Sequence, residues 1–538
     1  MAVSELFSMY KILTFSTLCL LLSTGCARKD YFQKTALAGP IEQNRDAVWD
    51  SATVVAGRHY QRGFLHKLFW GKHYRQVWAT PVSLPVLDMK KMHGGLSPEK
   101  LGGGFQTTSL TLESDEGKLY ALRSVDKDPQ DILPKGLRKT FLSNLLRDQT
   151  SAAHPYGAVV VSSLAAGAKI PHSHPRFVYV PKDVKGLKEN TPEFEDKVFL
   201  LEEKFEGKEA LTRNFGKAKN LIDSEEFLKN RFSQHSHLPD QLSFAKARLF
   251  DVFIGDWDRH EGQWQWAVYD TSAVTTYTPV PKDRDQAFFK FDDGLMPWLF
   301  SRRWAPVSKM KTFHAKVSSP RGYLKNARFI DARCLNEVTQ EQWQQLARQL
   351  QHQLTDSLLT ASVAQLPVPA YQLTGEEIKT KLAARRNQLP AIAQEMYLIL
   401  AKNVLVAGTD EKEKFVVERQ PNGDTRVMVL QVATKDKEKP LLVYDRLFKK
   451  AETKSVSLYG LADEDEFLIS GKGQKGIKVN VYGGMGEDDV KDNSSVQGWA
   501  RKTRVYDTKQ GIEVEKSKET RLRKKRSVKV HAFDREGL

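Results

Sequence analysis

The sequence has very little cysteine. Only Cys19, Cys26 and Cys334 occur among its 538 residues, and the first two lie in an apolar N-terminal region. If the chain is cleaved before Cys26 and that cysteine is modified, Cys334 is the only thiol left. A framework of intrachain disulfides, which stabilises many small secreted domains, is therefore excluded.

Long hydrophobic runs are also scarce. The N-terminal run "ILTFSTLCLLLSTG" is too short to span a bilayer comfortably, and no later segment has the apolar length of a membrane helix. With 40% apolar and 28% charged residues the composition is that of a globular protein. The length predicts about two to four domains.

Acidic residues are in short supply relative to basic ones. The chain has 66 Asp and Glu against 82 Lys and Arg, a formal net charge of +16. This excess favours anionic partners such as phosphates, lipid headgroups or acidic sugars, without choosing among them. We expect no nucleic-acid partner.

The N-terminus is typical of an export signal. Lys11 precedes the apolar run, which ends in "LLSTGC". The small residues before Cys26 resemble a bacterial lipobox, in which cleavage leaves a lipidated cysteine. Residues 1–25 are then a lipoprotein signal peptide and Cys26 is the lipidation site. This predicts a bacterial envelope protein held by lipid, in the outer membrane facing the periplasm. The alternative is an ordinary signal peptide followed by an unmodified cysteine.

Local patterns predict an α+β protein with several regions. Residues 26–80 are interpreted as an N-terminal connector, and 81–210 as mixed strand and helix, with "FQTTSLTLES" and "GKLYALRSVD" as paired strands. Helical periodicity dominates 211–405 and includes a helix over about 240–254. Short strands with Gly and Asp turns fill 406–538, which predicts an all-β region.

The stretch "DVFIGDWDRHEGQWQW", residues 251–266, combines dense charge with three tryptophans. Gly255 permits a helix to stop before the "DWDRH" loop. Some twenty residues later comes a second acidic loop, "PVPKDRDQAFFKFDDG". Two acidic loops behind apolar elements suit a nucleotide–metal site, because Mg²⁺ and Mn²⁺ prefer carboxylate oxygens. Upstream, Gly102, Gly103 and Gly104 precede a strand, where backbone N–H groups can approach phosphates.

Together these motifs resemble a divergent two-lobe protein-kinase-like fold. "IGDWDRHEGQW" is similar to the catalytic loop of HipA-type kinases and of secreted Golgi casein kinases, and "DRDQAFF" to the metal loop of those families and of CotH kinases. The resemblance covers about 95–300, with helices to about 405 completing the second lobe. It implies ATP with Mg²⁺ or Mn²⁺. Its implied site residues are Asp258, Arg259 and His260 for catalysis, Gln263, Asp283 and Asp285 for metal, and Gly102, Gly103, Gly104, Arg123 and Lys127 for nucleotide.

The chain departs from the kinase pattern at three points. Arg123 stands where those families have a phosphate-binding lysine, and Lys127 is the nearest substitute. Gln263 replaces a metal-binding asparagine. Asp148 and Gln149 are the candidates for the usual helix acid that pairs with the lysine.

Several motifs have plainer explanations. "DWDRH" can be a salt-bridged helix end, and Trp257, Trp264 and Trp266 are expected to pack rather than stack on a base. His172 and His174 are expected to be loop residues rather than a metal pair. The basic run "RLRKKR", residues 521–526, is expected to face solvent or phosphate.

The β-rich tail contains a repeat. "LYGLADEDEFLISG" aligns with "VYGGMGEDDVKDNS", with Tyr459 over Tyr482 and Asp465 over Asp488. This predicts two coils of a small β-solenoid. "GGMGEDDV" also resembles one calcium-binding Gly-Asp repeat, but two imperfect coils favour structure over calcium.

A wider resemblance links phrases such as "YRQVWATPV", "LGGGFQTTSL" and "PKDRDQAFFKFDDG" to the periplasmic part of bacterial surface-antigen proteins, which precedes an outer-membrane β-barrel. It implies a barrel-less relative or a shortened reading frame, with a barrel protein as partner. Three functions remain open: a phosphotransferase acting on a protein, lipid or glycan; a pseudokinase that binds a barrel protein; and a calcium-dependent structural protein.

Overall fold

The computed structural model describes the chain from residue 26 onward, with short gaps. The described residues are 26–42, 50–102, 107–182, 184–187, 191–302, 305, 307–432, 440–508, 511–525, 532–535 and 537. Within these ranges, helices and several sheets combine into an α+β architecture. No helix there is both long and apolar enough to cross a membrane.

The N-terminal region forms a small sheet rather than a simple connector. Three antiparallel strands pair in chain order, namely β1 (Leu37–Glu42), β2 (Ser51–Val54) and β3 (Val82–Pro85). Two short helices lie between β2 and β3, namely α1 (Phe64–Trp70) and α2 (Arg75–Ala79). The residues of β2 alternate between half-buried and buried, as expected for a sheet with one covered face.

The second region is a five-stranded antiparallel sheet with inserted helices. In spatial order its strands are β4 (Leu96–Gly102), β5 (Ser109–Ser114), β6 (Leu119–Ser124), β8 (Lys197–Glu203) and β7 (Arg176–Val180). The predicted pairing of "FQTTSLTLES" with "GKLYALRSVD" is confirmed. Between β6 and β7 the chain forms α3 (Phe141–Gln149) and α4 (Gly157–Gly167), and α5 (Thr191–Phe194) precedes β8. Apolar residues of one sheet face form a core of their own.

The third region contains a sheet that the sequence analysis did not predict. Its strands are β9 (Asn220–Asp223), β10 (His237–Pro239), β11 (Trp264–Asp270) and β12 (Thr275–Pro281), in the order β10-β12-β11-β9. Side chains from Trp264 to Ala267 are all buried, so no alternation marks β11. The expectation that helices dominate 211–405 holds, with this sheet as an addition among the first of those helices.

The helices of the third region supply a large part of the main core. They are α6 (Ser224–Ser233), α7 (Gln241–Ile254), α8 (Leu295–Phe300), α9 (Arg328–Cys334), α10 (Gln340–Gln353), α11 (Asp356–Val363), α12 (Val368–Asn387) and α13 (Leu389–Ala401). The predicted helix over about 240–254 is confirmed as α7. It ends at Gly255, whose φ of +80° is the left-handed conformation that glycine adopts without strain.

The tail consists of two sheets that enclose a separate apolar core. The first is entirely parallel, in the order β13 (Asn403–Ala407), β17 (Ser455–Ala462), β19 (Lys478–Met485), β22 (Thr503–Thr508) and β24 (Thr520–Lys525). The second has the order β16 (Leu441–Phe448), β15 (Thr425–Gln431), β14 (Glu413–Arg419), β18 (Glu466–Gln474), β20 (Asp488–Asp492) and β23 (Ile512–Glu515), with β21 (Ser495–Gln497) beside β18. From β14 to β23 it is parallel.

The predicted repeat is visible in the strand register. Tyr459 lies opposite Tyr482, and Tyr482 opposite Tyr506, with ring centroids 4.4 and 4.8 Å apart. The third tyrosine was not part of the predicted alignment. Both centroid distances are close to the distance between neighbouring strands, as expected when equivalent residues of parallel strands lie in register.

A ladder of buried carboxylates runs beside these tyrosines. The backbone N–H of Glu413 donates to Asp465 Oδ1 (2.8 Å), and that of Asp465 donates to Asp488 Oδ1 (3.1 Å). Glycines make room for them, since a side chain at Gly460 would collide with Asp465 Oδ2. Burial raises the pKa of Asp465 to about 9 and that of Asp488 to about 7. In the described part of the chain no group of three or more His, Cys, Asp or Glu is arranged to hold a metal ion, and our expectation that calcium does not bind here stays a prediction.

Candidate functional site

The "DWDRH" segment follows Gly255 as a loop, as predicted. It leads into β11. Asp258 is half-buried, and its Oδ1 accepts a hydrogen bond from Asn326 Nδ2 (2.5 Å), while its backbone N–H donates to Asp256 Oδ1. His260 Nδ1 accepts from the Gly262 N–H (3.1 Å). Asp258 and His260 are thus held by the loop and keep partial access to solvent.

The second loop follows β12 and carries both candidate metal ligands. Asp283 Oδ1 lies 3.2 Å from Arg123 Nη1. Burial acts to raise the pKa of Asp283, but the charges of Arg123 and Lys127 outweigh it and lower the pKa to about 2. The Gln263 side chain also acts to lower the pKa of the same carboxylate. Asp283 is therefore ionised, in a left-handed backbone conformation with φ of +58°.

Asp285 forms a second ion pair, with the ammonium of Lys127. Burial raises the pKa of Asp285 above its usual value, and the neighbouring Asp283 charge acts in the same direction, against Lys127. The structure thus brings together Arg123, Lys127, Gln263, Asp283 and Asp285. Two basic residues at the end of β6 face two acidic residues of the loop.

Glu202 is a member of this cluster that the sequence analysis missed. It accepts a hydrogen bond from Arg123 (3.0 Å) on the neighbouring strand, and burial raises its pKa. The predicted helix acid, Asp148, does not reach Arg123: it binds Arg75, Arg62 and His66 instead. That candidate was wrong, because Asp148, near the end of α3, is already paired with three side chains of the N-terminal region. The Gln149 amide makes no hydrogen bond among the described residues.

A cleft lies between α4, the sheet and the second loop. Its polar lining includes His172, Ser173, Glu202, Asp283 and Asp285. His172 bonds the carbonyl of Ile170, and His174 bonds Glu203, as expected of loop residues rather than a metal pair. The cleft gives a ligand access to both loop carboxylates.

Most of the charge in residues 251–266 is structural. Asp251, fully buried on α7, accepts from Arg248 (3.0 Å), Arg259 (3.2 Å) and Arg284 (3.0 Å). Burial acts to raise the pKa of Asp251, but the three guanidinium groups outweigh it and lower the pKa. Arg248 also binds Asp331 (2.7 Å). This arginine network fixes the first loop to the second, because Arg259 belongs to one and Arg284 to the other.

Arg259 acts within that network rather than at the surface of the cleft. Its side chain is fully buried, and its guanidinium donates to the carbonyls of Lys282 (2.7 Å) and Gln263 (3.0 Å). It also stacks on Trp264, 4.6 Å from the ring centroid. Trp257, Trp264 and Trp266 are all buried, so the expectation that they pack is confirmed.

The remaining predicted site residues lie apart from the cluster or outside the description. Gly102 ends β4 and is exposed, whereas Gly103 and Gly104 lie outside the described residues. Cys26 is exposed, and its backbone pairs with Thr140 at the start of α3. The basic run 521–526 begins in β24, with Arg521 exposed.

The cluster has the donor set that a magnesium or manganese ion would need. Asp283 offers an ionised carboxylate, Asp285 a second carboxylate and Gln263 an amide oxygen, and hard divalent cations prefer such oxygens. Arg123 and Lys127 supply cations that suit phosphate. The residues therefore fit a metal–nucleotide complex.

Comparison with known proteins gives matches among solved structures but not among sequences. No protein-family profile and no curated protein matches the sequence. Among solved structures, the chain is similar to the Helicobacter pylori proinflammatory kinase CtkA, at 13% identity and a TM-score of 0.30, over 56% of this chain and 94% of that one. It is also similar to a chain of the Shewanella oneidensis MR-1 toxin–antitoxin system HipA, HipB and its operator DNA complex, at 11% identity and a TM-score of 0.22, over 58% and 74%. Similarity this weak carries no argument about chemistry, which rests on the geometry of the cluster.

Proposed function

We propose that the chain is a kinase-like phosphotransferase that uses a nucleotide with Mg²⁺ or Mn²⁺. The observation that carries the proposal is the double ion pair beside the cleft, Arg123 with Asp283 and Lys127 with Asp285. A metal–phosphate complex can exchange partners with both pairs: the carboxylates take the metal and the cations take the phosphates. No charge is then left buried without a partner, which would be costly.

Each of the remaining residues has a defined task in this proposal. A bound divalent ion would neutralise charge on the phosphates. Asp258, held by Asn326, would accept the proton of the acceptor hydroxyl. Gln263 would orient Asp283, and buried Arg259 would keep the two loops in register. The acceptor is a hydroxyl of a protein, lipid or glycan.

A second candidate is a pseudokinase binding module. The same two ion pairs favour it, because they balance the loop carboxylates without any ligand. In that case the fold would present surfaces to a partner such as an outer-membrane barrel protein. Nucleotide binding without transfer would support this candidate.

The direct test is calorimetric titration of ATP and GTP, with Mg²⁺ or Mn²⁺, into the chain that starts at residue 26, followed by a radiolabel transfer assay. We expect saturable binding that requires both metal and nucleotide. Asp445→Ala removes an exposed ion pair with Arg426 far from the cluster and should bind like wild type. If no nucleotide binds to the folded chain, both candidates fail.

We also propose that the chain is anchored to the bacterial outer membrane, facing the periplasm, through lipid on Cys26. Cys26 is exposed. The Ala27 N–H next to it donates to the carbonyl of Lys139, just before α3 (2.8 Å). In cells, wild type should incorporate labelled fatty acid and Cys26→Ala should not. Equal labelling of the variant would remove the anchor from the proposal.

A further inference from the structure

Helix α1 exposes an unusual amount of apolar surface. Phe64, Leu65, Leu68 and Phe69 are 78%, 68%, 53% and 45% exposed, and α1 has no buried residue. Isolated exposed apolar residues are common, but four on seven consecutive positions are not. A helix without a buried residue contributes little to the hydrophobic core of its own chain.

Helix α8 extends the same surface. Leu295, Trp298 and Leu299 are 53%, 44% and 37% exposed. The two helices meet at their ends, because Gly294, just before α8, packs against the backbone of Gly71, just after α1. A side-chain carbon at Gly294 would lie 2.2 Å from the Gly71 nitrogen. We call the exposed residues of α1 and α8 together the apolar surface.

Both helices lie in segments that contain no acid. Residues 51–87 have five Lys or Arg and no Asp or Glu, and residues 294–330 have eight and none. Lys72 and Arg302 are exposed beside the helices, and Arg302 lies over the Trp298 ring at 3.6 Å. Two acids near the helices are engaged within the fold, because Asp293 bonds His73 and Asp148 bonds His66. An apolar surface with exposed basic residues beside it is complementary to an anionic membrane, in which apolar side chains enter the interface and cations meet headgroup phosphates.

The position of Cys26 points to the same occupant. Cys26 lies beside the start of α3, where its backbone pairs with Thr140. Helix α1 lies beside the last turn of α3, where His66 hydrogen-bonds Asp148 (2.9 Å). Nine residues of helix span about 13 Å. Ile132 and Leu137, just before α3, are exposed as well. A membrane at Cys26 would therefore lie within one short helix of the apolar surface.

We propose that the apolar surface binds the surface of an anionic lipid membrane, without spanning it. The proposal does not depend on phosphotransfer or on lipidation of Cys26. Binding would orient the domain on the bilayer. It follows from two short helices with exposed apolar faces, their joining at Gly71 and Gly294, and the exposed basic residues beside them.

The test is co-sedimentation with vesicles, using the chain from residue 26 with Cys26→Ser so that no lipid can attach. The buried apolar residues of the described structure begin at Tyr31, so this chain keeps that core. We expect binding to phosphatidylglycerol–phosphatidylethanolamine vesicles, weaker binding to phosphatidylcholine vesicles, and loss of binding as salt is raised.

The decisive variant is Phe64→Ser with Trp298→Ser, which should weaken vesicle binding at least about tenfold without unfolding the chain. The matched control is Leu441→Ser with Leu447→Ser, which removes equally exposed residues from β16. Lys67→Glu with Lys72→Glu should weaken binding to the anionic vesicles only.

Four outcomes would overturn the proposal. Wild type that binds no vesicles, or Phe64→Ser with Trp298→Ser that binds as well as wild type, contradicts it directly. Self-association lost in the same variant, without vesicle binding, would assign the apolar surface to a second copy. Binding of a peptide of residues 11–25 at the apolar surface, again without vesicle binding, would assign it to the chain's own N-terminal segment.

Discussion

Asp258→Ala is expected to lower phosphoryl transfer by about 10²- to 10⁴-fold while Mg²⁺–nucleotide binding stays close to that of wild type. A base acts only during turnover, and among the described residues Asp258 hydrogen-bonds Asn326 and Asp256 rather than the members of the cluster. Its removal leaves both ion pairs of the cluster in place. The measurement is single-turnover transfer alongside calorimetric titration.

Asp283→Ala supplies the contrast. It removes the ionised carboxylate that we propose binds the metal and leaves Arg123 with Glu202 alone, so we expect weaker nucleotide binding as well as lost transfer. Asp258→Asn keeps an oxygen for the Asn326 hydrogen bond and controls for loop position. If Asp258→Ala weakens binding as much as Asp283→Ala, the division of roles proposed for the two loops is wrong.

Asp251→Ala is expected to cost about 3–5 kcal/mol of unfolding free energy, because it leaves three buried arginines without their shared carboxylate. A loss of this size is a large part of the stability of a typical domain. Urea unfolding followed by tryptophan fluorescence measures it, since Trp264 lies under Arg259.

Asp445→Ala is the matched control for Asp251→Ala. Its ion pair with Arg426 is exposed, and such pairs contribute at most about 1 kcal/mol. Asp251→Asn should fall between the two, since an amide still accepts a hydrogen bond but carries no charge. Equal stability of Asp251→Ala and Asp445→Ala would show that the arginine network is not a structural centre.

The sequence predicted well where the signal is local. A helix ending at Gly255, a hairpin with a Gly turn and a repeated tyrosine follow from residues close together in the chain. The two acidic loops and their basic partners were also predicted, because each is a compact motif. What these motifs could not show was that Arg123 and Lys127 would pair with Asp283 and Asp285 in the structure.

The failures share a different cause. Glu202 and Asp251 look like ordinary charges in a strand and a helix, and only long-range packing brings arginines to them. Strand β11 is buried on both faces, so it lacks the alternation that identifies a strand. Residues 251–266 contribute both to the arginine network and to the candidate site. The spacing of the sequence does not show that Arg259 belongs to the first and Asp258 to the second.

The carboxylate ladder also changes the charge that the protein carries in solution. The formal value of +16 counts every Asp and Glu as ionised. Burial raises the pKa of Asp465 to about 9 and those of Asp488 and Asp126 to about 7, so near neutral pH the folded chain holds protons that the unfolded chain has released. Folding is therefore accompanied by proton uptake, and the native protein is more cationic than its composition states. Any anionic surface that it approaches meets this larger charge.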